Sequence, residues 1–174
     1  MSRLPVMLFA FIAGGFALTG QAQALDFAGA ELTGSGVLSI TTFSPNPFTV
    51  GAGVDVTGSQ NSGQEYLFDF EGDLLTMTGT SPTNQPPQQI IGSVTFTDTS
   101  DSLPAFTSFE IISSVGVPTA QLLLSHTDDS LTIAFNEVGM NLSHSFTARV
   151  TAVPEPASAL LALIGLAGFT ARRR

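Results

Sequence analysis

Ser125, His126 and Asp128 bring a hydroxyl, an imidazole and a carboxylate into one short stretch, the three groups of a nucleophilic hydrolase. On an extended chain neighbouring side chains point to opposite faces, so Ser125 and His126 cannot form a nucleophile–base pair by themselves. His126 and His144 are the only histidines, and both read as surface or hydrogen-bonded residues rather than catalysts. Asp69, Glu71 and Asp73 recur at every second position, and paired carboxylates are the machinery of glycoside hydrolysis. Alternation with Phe68 and Phe70 turns Asp69 and Glu71 to the solvent side of a strand, which favours a solvated face over a cleft. The same three acids, Asp98 with Asp101, and Asp128 with Asp129 offer oxygen ligands of the kind calcium takes. Neither their spacing nor the glycine placement matches the calcium loop of helix–loop–helix proteins, so calcium is a weak signal. No phosphate-cradling glycine loop is present. The expectation is a chain with no catalytic residue, no metal and no cofactor.

Composition narrows the classes further. The chain has 174 residues and no cysteine, which excludes a thiolate nucleophile, a disulfide framework and Cys-ligated zinc or iron–sulfur centres. Lysine is absent. Between Leu25 and Val153 a single cation, Arg149, stands against thirteen Asp and Glu, giving 1 − 13 = −12. A domain so acidic has no basic patch to release counterions, so nucleic-acid binding is excluded. The acidity suits solubility outside the cell.

Both ends read as targeting segments. Residues 1–24 have the three parts of a secretory signal peptide: Arg3 as the positive start, an apolar run from Leu4 to Leu18, and the small-x-small site Ala22-Gln23-Ala24. Signal peptidase accepts only short side chains in the two pockets before its cut, so cleavage after Ala24 is expected, with Leu25 as the new N-terminus.

The other end reads Val153-Pro154-Glu155-Pro156, then ASALLALIGLAGFTA, then Arg172-Arg173-Arg174. Two prolines flanking one residue continue neither strand nor helix and leave an extended peptide for a processing enzyme to grip. Residues 157–171 are almost all apolar and would span about 22 Å as a helix at 1.5 Å per residue. That is short of the ~30 Å hydrocarbon core, a gap that flanking residues and local thinning close. The arginines then stop translocation and stay on the cytoplasmic side. Box, short apolar helix and terminal arginines, in that order, closely resemble the PEP-CTERM sorting signal, also known as the ice-binding protein C-terminal motif. The resemblance covers 153–174. It implies processing near the box by an exosortase, transient inner-membrane insertion, and a final place at the cell surface or outside. It also implies a bacterium with two membranes and an extracellular matrix.

Between the two targeting segments, residues 25–152 read as one β-sandwich domain. Apolar residues alternate at period two through Tyr66-Phe68-Phe70, Val94-Phe96, Leu131-Ile133-Phe135 and Phe146-Ala148-Val150. Strands are expected at 30–42, 48–57, 64–71, 73–79, 90–98, 107–115, 120–126, 130–136 and 143–152. Glu71-Gly72-Asp73 and Asp128-Asp129 read as hairpin turns. Residues 81–89, SPTNQPPQQ, read as either a crossover between sheets or a binding loop, with the crossover favoured. Many short strands without a sustained helical period predict an antiparallel all-β sandwich with jelly-roll-like connections. Phe48 to Gly79 is similar to a sandwich body common among PEP-CTERM proteins, a resemblance of strand wording that brings no catalytic residue with it.

Two threonine rows, Thr76-x-Thr78-x-Thr80 and Thr95-x-Thr97-x-Thr99, could order water if flat and regular, but a twisted sheet fits a lattice poorly. Asn141-Leu142-Ser143 fits the glycosylation sequon, a triplet that often arises by chance. The functional expectation is an exported, non-catalytic surface or matrix protein associated with exopolysaccharide or biofilm, with signal peptidase and exosortase as processing partners. The alternatives are a carbohydrate- or calcium-binding module, then a secreted hydrolase or an ice-binding protein. Sugar stacking would need an exposed aromatic platform, yet tryptophan is absent and Tyr66 is the only tyrosine.

Overall fold

A computed structural model describes residues 23–81 and 87–153. Its strands in chain order begin with β1 (Gln23–Ala24), β2 (Glu31–Leu38), β3 (Ile40–Ser44) and β4 (Phe48–Thr49). There follow β5 (Val56–Gln60), β6 (Glu65–Glu71), β7 (Leu74–Gly79) and β8 (Gln88–Asp98). β9 (Ala105–Val115), β10 (Leu122–His126), β11 (Ser130–Met140) and β12 (Ser145–Val153) complete the set, with one 3₁₀ turn at Thr119–Gln121. Among the described residues no helix is long and apolar enough to cross a membrane. The expected signal segment up to residue 22 and the expected helix at 157–171 lie outside them.

Among the described residues every strand pairing is antiparallel. A seven-stranded sheet runs β3-β5-β6-β7-β12-β9, with β1 extending β7's place beside β12. A five-stranded sheet runs β10-β11-β8-β2-β4. The chain passes repeatedly between the two, at β2 to β3, β4 to β5, β7 to β8 and β11 to β12 among others. The architecture is an antiparallel all-β sandwich; the chain changes sheet between β7 and β8, and Gln88 and Gln89, expected in the 81–89 loop, belong to β8.

Alternation explains the core. β6 buries Tyr66, Phe68 and Phe70, β7 buries Leu75 and Met77, and β12 buries Phe146, Ala148 and Val150. Across the interior β8 and β11 contribute Val94, Phe96, Leu131, Ile133 and Phe135. Phe96 lies at the centre, with the rings of Phe43, Phe48, Phe68 and Phe70 at centroid distances of 5.9, 6.1, 5.0 and 5.1 Å. Each such side chain, fully buried, contributes roughly 1.5–3 kcal/mol by transfer alone. At the β6–β7 hairpin Glu71 faces Leu74, and Gly72 holds φ at +58°, a left-handed value that a side chain disfavours. The second expected turn, at Asp128-Asp129, joins β10 to β11, where Thr127 donates its N–H to the Ser130 carbonyl.

Two expected strands are each divided. The stretch 30–42 is β2 in one sheet and β3 in the other, turning at Leu38, whose φ is +73°. The left-handed position is taken by a leucine rather than by Gly36 two residues before it, so the sequence does not mark the corner. The stretch 48–57 likewise divides: Phe48–Thr49 pairs with β2, a loop with Gly51 and Gly53 follows, and β5 begins in the opposite sheet. Strand order within each sheet depends on which edges meet, which periodicity does not carry.

Candidate functional site

The residues singled out for chemistry fall largely at one pole of the sandwich, but in separate turns. Phe106 donates its N–H to the Asp128 carbonyl and Asp98 to the Asp129 carbonyl, tying the 98–105 loop to the β10–β11 hairpin. Phe27 donates to the Gly72 carbonyl and Val150 to that of Asp73, placing the β6–β7 hairpin at the same end.

Within that pole Asp98, Asp129 and Asp73 have local partners. Asp98, 6% exposed, accepts from the Leu103 N–H at 2.7 Å and from Ser100, so it organises its own loop. Asp101 is exposed beside it, and Asp128 and Asp129 are exposed on their hairpin. Asp129 accepts from the Thr127 hydroxyl at 2.6 Å. Asp73 pairs with Arg149 Nε at 3.1 Å. Among the described residues no three His, Asp or Glu side chains converge as a metal site would require.

Asp69 differs. It stands on the outer face of β6, opposite Thr76, and its Oδ1 is shielded with no hydrogen-bond partner. Burial, then the charges of Asp55 and Glu71, push its carboxyl above the ordinary value. Asp55, by contrast, is buried and accepts the N–H groups of Gly51 and Phe70 at 2.7 and 2.8 Å.

The hydrolase set does not assemble locally. Ser125 and His126 are exposed on β10, and the His126 ring nitrogen lies 3.3 Å from the Thr127 carbonyl oxygen. His144 is half-buried, with Nδ1 3.0 Å from the Gly139 carbonyl oxygen. Asn141 of the sequon is 6% exposed and accepts the Ser143 N–H, so it shapes a turn. The threonine rows lie on opposite sheets, so they do not form one array: Thr76 bonds Thr147 in one sheet, and Thr95 bonds Thr132 in the other.

From this same pole the chain leaves toward its tail. Val153, the last described residue, pairs with Ala105, and Pro154 follows directly. Residues 152–174 match the family model for the PEP-CTERM protein-sorting motif. The chain carries a PEP-CTERM sorting motif. That motif marks an exported protein, sorted to the cell surface by an exosortase. No curated protein and no solved structure matches the chain. The family match does not extend to Phe48–Gly79. Pro154, Glu155 and Pro156, and Arg172 to Arg174, lie outside the described residues.

One feature has no signal in the sequence. β1 pairs with the end of β12, Gln23 opposite Ala152 and Ala24 opposite Thr151. The expected signal-peptidase site and the start of the PEP-CTERM match are therefore neighbours in the sheet. Leu25 and Phe27, just beyond that site, are 5% and 0% exposed. A domain starting at Leu25 would keep both anchors and lose the two residues of β1.

Proposed function

We propose that the folded domain is a non-catalytic β-sandwich, displayed at the cell surface or in the extracellular matrix once an exosortase has processed the PEP-CTERM tail. The observation that carries this reading is the position of the motif. It begins at the last strand, so the whole sandwich stands on the N-terminal side of the Pro-Glu-Pro box. Residues 157–171 would hold the uncut chain in the inner membrane, and the arginines behind them would stay cytoplasmic. The acidic, hydroxyl-rich surface suits a hydrated polymer matrix, where soluble chains must not collapse on one another. Sugar recognition by ring stacking is the weaker reading, because every described phenylalanine and Tyr66 is buried.

The test compares wild type with a Pro154→Ala/Pro156→Ala variant in a host that has an exosortase. Mass analysis of membrane and external fractions should find wild type outside without its arginines, and the variant uncut in the inner membrane. External wild-type protein that still carries Arg172 to Arg174 would overturn the sorting route. Failure of processed protein to fractionate with cell surface or matrix would overturn the destination.

A further inference from the structure

β12 is flanked along its length by β9 on one side. On the other it pairs with β7 from Ser145 to Arg149, and then with β1 at Thr151 and Ala152. Val150 donates its N–H to the Asp73 carbonyl on that second side. Backbone groups of a strand alternate in direction, so the N–H and C=O of Ala152 also point that way, at Gln23. Among the described residues, this edge of the strand's end is thus covered by two residues of the signal segment.

Enzymes that cut a chain commonly hold it extended, as an added strand. Only Pro154, Glu155 and Pro156 separate Val153 from the apolar stretch that starts at Ala157. Three residues reach about 10 Å at 3.3–3.6 Å each. An enzyme in the membrane that grips the chain on the N-terminal side of the box therefore takes hold of Val153 and Ala152, the first residues of the matched motif.

We propose that Gln23–Ala24 is an autoinhibitory strap on the sorting motif. While the signal peptide is attached, β1 occupies the Ala152 edge and the exosortase cannot add it as a strand. Hydrolysis of the Ala24–Leu25 bond breaks that tie: water supplies the new carboxylate oxygen of Ala24, and Leu25 leaves with an ammonium group. The strap then departs, the edge opens, and tail processing follows. N-terminal processing thereby licenses C-terminal processing, and a chain still tied to its signal peptide is not released. The core does not depend on the strap, since Leu25 and Phe27 stay buried and Phe27 keeps its bond to Gly72. The inference rests on the signal-peptide and exosortase readings above.

The experiment uses the full chain in a host with an exosortase, pulse-labelled, with each end scored by mass. Ala22→Phe fills a peptidase pocket but leaves Gln23 and Ala24 intact, so signal and tail should both be retained. Ala22→Phe with Gln23→Pro is equally resistant to the peptidase, yet proline has no N–H to pair with Ala152. This double variant should keep its signal and lose its tail. Tail loss in Ala22→Phe at the wild-type level, or tail retention in the double variant, would overturn the strap. A wild-type chain cut at neither end would overturn the targeting readings themselves, and that failure is distinct because it needs no substitution.

Discussion

Phe96→Ala removes the ring on which the two sheets converge. The side chain is 1% exposed and meets four other phenylalanine rings, so neighbouring backbone on both sheets would have to move to fill the space. Phe→Ala changes in such cores cost about 3–5 kcal/mol, transfer plus cavity, and the upper half of that range is expected here. Domains of this kind are stable by roughly 5–15 kcal/mol, so a large share of the total is at stake. With a urea slope of about 2 kcal/mol per molar, the midpoint should fall by about 2 M. Tyr66 is the sole tyrosine, is 0% exposed and has no tryptophan to mask it, so its fluorescence reports the transition. Far-UV circular dichroism should give the same midpoint if unfolding is two-state. Phe109→Ala is the control: Phe109 is 6% exposed on the edge strand β9, where the site can relax, and its loss should be smaller by at least about 1 kcal/mol. Equal losses for the two variants would refute the central packing of Phe96.

Asp69 gives a pH signature. Its folded carboxyl is raised above the ordinary value, so its contribution is favourable below the unfolded pKa and is lost as pH rises through the raised folded one. Asp69→Asn should therefore be more stable than wild type at neutral pH, with the gap closing in acid. A difference of the same size at both pH values, from parallel urea titrations, would contradict this. Gly36→Ala should be strongly destabilising, because the new Cβ would land on the Ile40 carbonyl oxygen where β2 turns into β3. Thermal unfolding of that variant at the wild-type temperature would place the β2–β3 corner elsewhere.

Period-two alternation with buried phenylalanine dictated the all-β class, both hairpins and most strand positions, because side-chain direction is local to the strand. The PEP-CTERM tail was legible for a similar reason: it is linear chemistry, two prolines, an apolar length and terminal charge. The corner at Leu38 was not legible, since a non-glycine residue takes a left-handed conformation there. Nor could spacing show that the turns bearing Glu71 and Asp73, Asp98 and Asp101, and Asp128 and Asp129 share one pole, or that Asp73, Asp98 and Asp129 each find a separate partner. The raised carboxyl of Asp69 comes first from burial and then from the charge of Asp55, fourteen positions away in the chain. Most of all, the meeting of Gln23 with Ala152 joins the two ends of the domain through strand pairing at long range. Such pairing is set by which edges remain free after every other strand has packed, and only the tertiary structure decides that.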